Sequence, residues 1–440
     1  MNRKIFHSRY SNQIVMLDGA TGRNLQAAGM PAGVSPEKWI MEHPEVLEKL
    51  QEDFYEAGST IVYAFTFGAN RIKLESHGFV SGSEQVEAVN TSLAKISCGV
   101  RDKMKLKYPE RDFYVAGDLA PTGSFLMPAG DLDFDDLVEI YREQVRGLLA
   151  AGVDLFVAET MMDLAQTRAA VLAVREETDM PVFASVTVDD NGRTLSGNSF
   201  EVCLLSLAAD GAQAVGMNCS SGPLTMADNL RFAAIPSGCL LLAKPNAGVP
   251  RLNEDGKTVF DLSPSDFAAQ MMSFIKIGVS LIGGCCGTTP EHISALSDAA
   301  ASTAVNTTEL SFLAPIGSVL KDDELESSII ASQRSTCKLT NWRDWPVLEC
   351  TDISTLTEDI LDIIEDEPEA IQIKLDLLNM PDRNDFKEAM AELQLTCSRP
   401  LVFSSDDSVL QSWIVRYYHG LTAIISDQIS TDLSAYRLLP

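Results

Sequence analysis

The stretch Leu281–Ile293, LIGGCCGTTPEHI, passes from a short apolar run through a glycine turn and two adjacent cysteines into a helix start. Gly283 and Gly284 interrupt the run, whereas Thr289 is a favourable N-cap and Pro290 a favourable first helical residue. The stretch is therefore one complete strand–loop–helix unit. A chain built from such units predicts a parallel sheet covered by helices.

Seven similar units precede this stretch in the first 300 residues. Their short apolar runs alternate with amphipathic stretches such as Asp135–Ala151, where apolar residues recur at i, i+3 and i+4. Caps mark helix entries, with Asp133 or Asp135 before one helix and Ser263 with Pro264 before another. The eight runs are Ile14–Leu17, Thr60–Phe67, Phe113–Ala116, Leu155–Ala158, Val182–Val188, Ala214–Met217, Leu240–Ala243 and Val279–Ile282.

Eight strand–helix units of this length predict an α/β fold, a closed (β/α)8 TIM barrel. A doubly wound open sheet is the alternative. The barrel is favoured because chemically suggestive residues end or follow the runs, and in a barrel these ends converge on the face that carries active sites. The strand-end residues are Asp18, Gly19, Thr66, Asp118, Glu159, Asn218, Cys219, Asn246, Cys285 and Cys286.

The composition changes after the eighth unit. Residues 302–335 are rich in Ser, Thr and acidic residues, which is typical of a linker, and a smaller α/β segment begins at Trp342. We expect a barrel over residues 1–305, a linker over 306–340 and a half-barrel-like module over 341–440. The strand candidates of this module are Val347–Cys350, Ala370–Leu375, Pro400–Phe403 and Thr422–Ile425, and its helix candidates are Leu356–Glu365, Asn384–Leu393 and Ser408–Tyr418.

Charge and composition exclude several classes of function. The formal net charge of -28 argues against binding to nucleic acid or to an anionic membrane surface. No apolar stretch approaches the roughly 20 residues needed to span a bilayer, and the N-terminal segment does not resemble a signal peptide. Nine scattered cysteines form no disulfide framework, so the sequence indicates a cytoplasmic protein with reduced thiols.

Three of these cysteines form a candidate metal site. Cys285 and Cys286 lie on a glycine-flanked turn, which allows both sulfurs to point at one place. Cys219 ends another run, in GMNCSSGP, and is again flanked by turn-forming residues. Three thiolates with one open position are typical of a catalytic zinc site. The alternatives for the adjacent pair are simple packing under a helix or a vicinal disulfide.

Seven segments resemble the homocysteine S-methyltransferase family in order and spacing, over about residues 10–300. The Ala120–Asp131 segment is more similar to the homocysteine module of cobalamin-dependent methionine synthase than to betaine–homocysteine methyltransferase. The resemblance implies a TIM barrel, zinc on the three cysteines and homocysteine as the thiol substrate. The segments are LDGATG (Leu17–Gly22), FTFGAN (Phe65–Asn70), APTG to PAGD (Ala120–Asp131), AET (Ala158–Thr160), GMNCSSGP (Gly216–Pro223), KPNAG (Lys244–Gly248) and GGCCGTTPEHI (Gly283–Ile293).

The resemblance also implies roles for individual residues. The metal ligands would be Cys219, Cys285 and Cys286, with Asn246 in the fourth position before the substrate arrives. Asp18 and Glu159 would hold the amino group of the substrate, although strand-end carboxylates can instead cap the next helix. The substrate carboxylate would be bound by Gly19, Ala20 and Thr66.

Two further residues bear on these roles. Gly68 stands where betaine-dependent enzymes have a tyrosine, which argues against betaine as the methyl donor. His292 follows the paired cysteines, but it lies inside the next helix and is better explained by capping or packing than by metal binding.

The second module shows a weaker resemblance. Pro400–Asp427 is similar to part of the pterin-binding methyltransferase barrels, but Ser404-Ser405 and Ser426-Asp427 replace the usual Asp-Ser and Asn-Ser pairs. We interpret the module as a truncated pterin-binding-like domain used for dimerisation or partner docking. No D-x-H-x-x-G stretch is present, so a methylcobalamin donor would arrive on a separate corrinoid carrier protein.

The sequence thus predicts transfer of a methyl group to a zinc-activated substrate thiolate, with no protein nucleophile. Homocysteine is the expected acceptor and methionine the product. A methylcorrinoid protein is the favoured donor, with S-methylmethionine or S-adenosylmethionine as the second choice. The alternatives are another thiol acceptor, or a non-catalytic zinc-stabilised scaffold that binds a corrinoid or pterin partner.

Overall fold

A computed structural model describes residues 2–80, 82–230, 235–236, 238–252, 258–301, 303, 312–313, 328–339, 342–426 and 437–439. Its largest sheet has eight parallel strands, in the spatial order β1-β8-β7-β6-β5-β4-β3-β2. A parallel bridge between Leu17 and Ile61 joins the two outer strands, which confirms the predicted barrel over an open sheet. The strands are β1 (Val15–Met16), β2 (Ile61–Tyr63), β3 (Tyr114–Leu119), β4 (Leu155–Met161), β5 (Val182–Val186), β6 (Ala214–Cys219), β7 (Leu240–Pro245) and β8 (Leu281–Ile282).

Helices surround the barrel, and one closes its amino-terminal end. Phe6 of the first helix lies with its ring centroid 5.1 Å from that of Phe183 and belongs to the cluster of apolar side chains inside the strands. Most of the remaining helices bury their apolar faces against the outside of the sheet. Leu25, Ile40 and Leu74, from three short helices, belong to a separate apolar cluster. The helices of this part of the chain are Arg3–Tyr10, Gly22–Ala27, Pro36–Glu42, Pro44–Glu56, Arg71–Ser76, Ser83–Lys107, Phe134–Ala151, Leu164–Glu177, Phe200–Ala209, Pro223–Leu230, Pro264–Lys276 and Pro290–Ala300.

The inward side chains of the strands form an apolar layer that turns polar at the carboxyl ends. Leu155 and Val157 of β4 belong to the inner cluster, and alternation places Glu159 next on the same side. The same alternation places Asp118 above Ala116 in β3. The barrel therefore directs acidic groups toward the face at which its strands end.

Strand lengths differ from the predicted runs for two reasons. β3 continues to Leu119 because the backbone ladder persists beyond the apolar run, where Asp118 pairs with Val157. By contrast, the strand predicted over Thr60–Phe67 ends at Tyr63. The Thr66 amide donates to the carbonyl of Ala64 instead of to a neighbouring strand, so the chain turns there.

The predicted helix caps are present at two entries. The Asp133 carboxylate accepts from the amides of Asp135 and Asp136, and the Ser263 hydroxyl accepts from the amide of Asp266 at 3.2 Å. Such caps satisfy amides that have no partner within the helix.

Ser263→Ala is expected to lower the free energy of unfolding by about 1 kcal/mol, because an N-terminal amide of the helix loses its acceptor. Denaturant titration followed by circular dichroism measures the change. Ser92→Ala is the matched control, since the Ser92 hydroxyl only donates to the Ala88 carbonyl within a helix. Equal losses in the two variants would contradict the capping role.

The second module has a five-stranded parallel sheet in sequential order. Four of its strands correspond to the predicted ones, and Arg437–Leu439 adds a fifth at the edge. The strands are Val347–Cys350, Ile371–Leu375, Leu401–Ser404, Ala423–Ile425 and Arg437–Leu439; the helices are Leu356–Ile364, Arg383–Thr396 and Ser408–Tyr417; the 3-10 turns are Trp342–Asp344 and Ile353–Thr355. Asp427, part of the pterin-like pattern, lies outside the described residues.

Most of the predicted linker over 306–340 also lies outside the described residues. Its described parts include the strands Ile329–Ala331 and Thr336–Lys338, which pair as an antiparallel hairpin, and Phe312–Leu313, which pairs in parallel with Ile235–Pro236. A further short antiparallel pair joins Arg251–Leu252 to Thr258–Val259. Across the described parts of the chain, none of the helices has the length and apolar character needed to cross a bilayer.

A buried arginine joins the barrel to the second module. Arg168 forms a two-point ion pair with Asp210, at 2.7 and 3.0 Å, and both side chains are 1% exposed. The same guanidinium donates to the carbonyls of Tyr418 at 2.7 Å and Val415 at 3.0 Å. One side chain on a barrel helix thus binds the end of a module helix.

Candidate metal and substrate site

Three cysteine sulfurs meet at the carboxyl end of the barrel. Cys219 is the last residue of β6, and Cys285 and Cys286 follow β8. The Sγ atom of Cys219 lies 3.3 Å from that of Cys285 and 3.7 Å from that of Cys286, and all three lie within 4.8 Å of one another. The structure thus brings together residues that are 66 and 67 positions apart.

The backbone around the sulfurs is unusual. Cys219 and Ser220 have φ values of 60° and 47°, in the left-handed region that non-glycine residues rarely adopt. Gly287, directly after the paired cysteines, also has a positive φ of 85°. Strained backbone of this kind is typical of functional sites, where the surrounding structure maintains it.

The sulfur arrangement fits a tetrahedral zinc ion. Zn–S bonds of about 2.3 Å place two ligand sulfurs about 3.8 Å apart, close to the separations among these three. All nine cysteines of the chain are free thiols, so Cys285 and Cys286 form no vicinal disulfide in this structure. Contacts among the three sulfurs lower the pKa of Cys286 and raise the pKa of Cys219 and of Cys285, so the metal-free cluster favours a single thiolate, at Cys286.

Asn246 has a side-chain amide oxygen, which could serve as the fourth metal ligand that the family resemblance implies. Its side chain is 5% exposed, and its Oδ1 atom is buried without a hydrogen-bond partner among the described residues. The backbone amide of the next residue, Ala247, donates to the carbonyl of Cys286 at 2.9 Å. A buried acceptor without a partner costs about 1–3 kcal/mol, which metal coordination would offset.

A cavity of about 400 Å³ lies beside the cysteines. Its charged lining residues from the inner layer are Asp18, Asp118, Glu159 and Lys244. Burial and the charge of Glu159 raise the pKa of Asp118, and burial raises the pKa of Glu159 to about 7. The cavity thus places a group of carboxyls next to three sulfurs, a combination that suits a small cationic thiol.

Asp18, predicted to bind the substrate amino group, is already bonded on both oxygens. Lys244 donates to Oδ1 at 2.6 Å, and the backbone amide of Tyr63 donates to Oδ2 at 2.8 Å. Burial opposes the charge of Lys244, but Asp18, Tyr63 and Glu159 together raise its pKa above the ordinary value. Asp18 and Lys244 therefore form an ion pair that is nearly inaccessible to solvent.

The residues predicted to bind the substrate carboxylate lie at or beside the cavity, but they have internal contacts. Gly19 and Ala20 line it, and the Ala20 amide donates to the Thr288 hydroxyl at 3.0 Å. Thr66 is buried and its hydroxyl donates to the carbonyl of Asp118 at 2.8 Å. The Ala20 amide and the Thr66 hydroxyl therefore already have acceptors within the protein, and their role in binding the substrate carboxylate stays a prediction.

Three residues of this site had no assigned role in the sequence. Asp118 and Asn218 were recognised only as strand ends, and Lys244 only as part of the KPNAG segment. Asn218 donates from Nδ2 to the Glu159 carboxylate at 3.4 Å and contacts the Cys285 sulfur at 3.9 Å. The period-two alternation of the strands is the signal that could have found all three, because it places them above inward apolar residues.

The predicted capping role of His292 is confirmed. Its Nδ1 atom accepts from the Thr289 amide at 3.2 Å, and its Nε2 atom lies 3.1 Å from the Leu262 carbonyl. Gly68 lies against the carboxylate of Glu37, which occupies the space that a side chain at position 68 would need.

The sequence profile of the homocysteine S-methyltransferases matches residues 15–300, well over half of the chain and all of the site. The chain belongs to the homocysteine S-methyltransferase family. It is 33% identical to methionine synthase of Mycobacterium tuberculosis over 303 residues, which cover 66% of this chain and 25% of that protein. Methionine synthase of Mycobacterium leprae is 32% identical over an alignment that covers 66% of this chain and 24% of that protein. The chain thus spans about a quarter of the length of these relatives.

Solved structures support the fold of this family member. The homocysteine methyltransferase MmuM from Escherichia coli, in its metallated form, is 23% identical with a TM-score of 0.54. The alignment covers 65% of this chain and 96% of MmuM. This similarity supports the barrel fold.

Proposed function

We propose that this chain is a zinc-dependent methyltransferase that methylates the thiol of homocysteine to give methionine. The observation that carries the proposal is the group of three cysteine sulfurs beside an acidic cavity. Membership of the homocysteine S-methyltransferase family supports the same acceptor. The cavity, at about 400 Å³, is of a size that suits a small amino acid.

Cys219, Cys285 and Cys286 would hold the zinc ion, with the amide oxygen of Asn246 as a fourth ligand before the thiol binds. Zinc supplies a Lewis acid that lowers the pKa of a bound thiol, so no protein nucleophile is needed. The strained backbone at Cys219 keeps its sulfur directed at the other two. In this proposal, the carboxyl ends of the barrel strands hold the three cysteine ligands in position before zinc and the substrate bind.

The amino-acid part of homocysteine would bind within the cavity. Asp18 and Glu159 are the predicted acceptors for the ammonium group. The loop at Gly19 and Ala20, together with Thr66, is predicted to bind the carboxylate. Since the Ala20 amide and the Thr66 hydroxyl have internal acceptors, a bound carboxylate would compete for these donors. The three carboxyls give the cavity a preference for a cationic end group.

A methylcorrinoid carrier protein is the proposed donor. A corrinoid is too large for the cavity, so its methyl group would have to reach the thiol from the open end of the barrel. Apolar side chains are exposed in the loops that follow β3, β5 and β7, where Phe125 is 58%, Leu195 70% and Val249 58% exposed. Exposed apolar side chains around a site suit contact with a partner protein.

A donor screen tests this function. Zinc-loaded protein is mixed with homocysteine and with free methylcobalamin, a methylcorrinoid protein, S-methylmethionine or S-adenosylmethionine, and methionine is quantified by mass spectrometry. We expect methionine from the corrinoid donors and little from the others.

Cobalt substitution separates an enzyme from a scaffold. We expect homocysteine to change the cobalt–thiolate absorption, because its sulfur joins the metal. An unchanged spectrum with full metal content would favour the non-catalytic scaffold that binds a corrinoid or pterin partner. If the acceptor is a thiol other than homocysteine, titrating a panel of thiols in the same assay identifies it.

A further inference from the structure

Strained backbone in the candidate site is concentrated around one asparagine, Asn218. Among the described residues, four non-glycine residues have positive φ values, and three of them adjoin or contact Asn218. These three are Thr160 at 57°, Cys219 at 60° and Ser220 at 47°. Such conformations are strained and persist only where neighbouring contacts maintain them. The contacts of Asn218 therefore indicate what keeps this backbone in place.

The strained turn at Thr160 lies in a β-bulge of β4. The pairing of β4 with β5 shifts between Ala158 and Met161, so that β4 holds one residue more than β5 there. A bulge beside a site commonly redirects a side chain. This bulge contains Glu159, one of the two predicted acceptors for the substrate ammonium, so the direction of its carboxylate depends on the turn.

The side chain of Asn218 is fully buried and uses both ends of its amide on this bulge. Its Oδ1 atom accepts from the backbone amide of Thr160 at 2.7 Å, and its Nδ2 atom donates to the Thr160 hydroxyl at 2.6 Å. The Ser185 hydroxyl of β5 donates to the same Oδ1 atom at 2.8 Å. The Nδ2 atom also lies 3.4 Å from Oε2 of Glu159. These bonds fix the amide and the left-handed turn together.

The same asparagine adjoins the sulfur ligands. It directly precedes Cys219, and its Nδ2 atom lies 3.9 Å from Sγ of Cys285. Its backbone carbonyl accepts from the hydroxyls of Thr187 at 3.1 Å and Ser220 at 3.2 Å. The end of β6 is thus held on both sides at the point where the chain turns left-handed toward the metal site.

We propose that Asn218 is a positioning residue that sets the direction of both the Cys219 sulfur and the Glu159 carboxylate. One buried amide then fixes the spacing between the metal ligands and the group that receives the amino end of the substrate. The inference rests on the proposed function and deepens it, because it names what holds the two halves of the site in register. A purely structural role, in which the amide only joins β4, β5 and β6, is the competing explanation.

The first test measures zinc affinity by competition with a chromophoric chelator. Asn218→Ala is expected to weaken zinc binding about 10- to 100-fold, as is usual when a residue that orients metal ligands is removed. Loss of the amide frees the backbone next to Cys219 and removes the contact with Cys285. The three cysteines themselves stay in the chain, so the change reports their direction and not their number.

The second test compares two thiols that differ only in the amino group. Homocysteine and 4-sulfanylbutanoate, which lacks the amine, are titrated into the cobalt-substituted protein, and dissociation constants are taken from the cobalt–thiolate absorption. In Asn218→Ala the preference for homocysteine is expected to fall roughly 5- to 20-fold, because the Glu159 carboxylate is no longer held toward the cavity. A residue that only stabilised the fold would leave this preference as in the wild type.

Ser185→Ala is a second variant in case Asn218→Ala does not fold. Ser185 is 1% exposed and is not among the residues that line the cavity, so it acts on the site only through the amide of Asn218. It is expected to lower both the zinc affinity and the homocysteine preference by about two- to fivefold, because the amide loses one of its hydrogen bonds.

Asn198→Ala is the matched control. Asn198 is also 1% exposed, and its Oδ1 atom accepts from the Leu164 amide at 3.1 Å while its Nδ2 atom donates to the Gln333 carbonyl at 3.0 Å. The variant removes a buried amide of the same kind away from the sulfurs. It is expected to lose stability but to keep the zinc affinity and the thiol preference of the wild type.

Circular dichroism establishes that each variant is folded. Wild-type zinc affinity and thiol preference in folded Asn218→Ala would overturn the inference, as would a change in only one of the two quantities or an equal change in Asn198→Ala. If Asn218→Ala does not fold, unchanged values in Ser185→Ala overturn it. All of these results leave the proposed function intact. A wild-type cobalt spectrum that does not respond to homocysteine would instead overturn the proposed function, and the inference with it.

Discussion

Cys219→Ala is expected to abolish metal retention, with a loss of zinc affinity of more than about 100-fold, since changes even to residues outside the ligand set cost about 10–100-fold. The Cys219 sulfur lies 3.3 and 3.7 Å from the other two sulfurs, and its loss leaves only the adjacent pair. Zinc content after gel filtration, measured by inductively coupled plasma mass spectrometry, gives the result. Methyl transfer to homocysteine should disappear with the metal.

The matched control is Cys98→Ala, which removes a buried thiol from the helix Ser83–Lys107 without touching the site. It is expected to retain full zinc content. Asn246→Ala should also retain most of the metal, because the three sulfurs remain. Full zinc occupancy in Cys219→Ala would show that the cysteine group is not the metal site.

Arg168→Met is expected to lower the free energy of unfolding by about 3–5 kcal/mol, because it leaves the buried Asp210 carboxylate without its partner. The change also removes the donor to the Tyr418 and Val415 carbonyls. The loss should therefore affect both the barrel and its contact with the second module. Urea titration followed by fluorescence and circular dichroism measures it.

Arg142→Met is the control for this variant. Arg142 also pairs with carboxylates, including Glu177 at 2.7 Å, but its side chain is 35% exposed. Exposed ion pairs contribute about 0–1 kcal/mol, so the control should lose little stability. If the two variants lose the same amount, the Arg168 contacts do not hold the module to the barrel.

Much of the site could be predicted because strands that follow one another along the chain are neighbours in the barrel, and their carboxyl ends lie at one face. Cys219 ends one strand of the parallel sheet and Cys285 and Cys286 follow another, so the fold brings all three to the same end of the barrel. The apolar runs were also sufficient to place the strands, since burial of the sheet determines where such runs occur. Where a strand continued past its apolar run, as β3 does to Leu119, the sequence underestimated it.

The pairing of charges could not be predicted in the same way. Asp18 and Lys244 are 226 residues apart, and nothing in either segment indicates that the two side chains meet. Thr66 likewise looks like a free hydroxyl in the sequence, but it donates to the Asp118 carbonyl. Such contacts depend on which strands are neighbours and on side-chain directions, which a one-dimensional pattern does not contain.

The two shortest strands of the barrel, β1 and β8, each span two residues and carry Asp18 and the paired cysteines into the site. Cys219 lies two strands away, beyond β7. A metal ion on all three sulfurs would cross-link the end of β6 to the loop that follows β8. Metal occupancy would then slow the local opening of these strands, so that their amide exchange becomes slower as the fraction of metal-loaded, active protein rises.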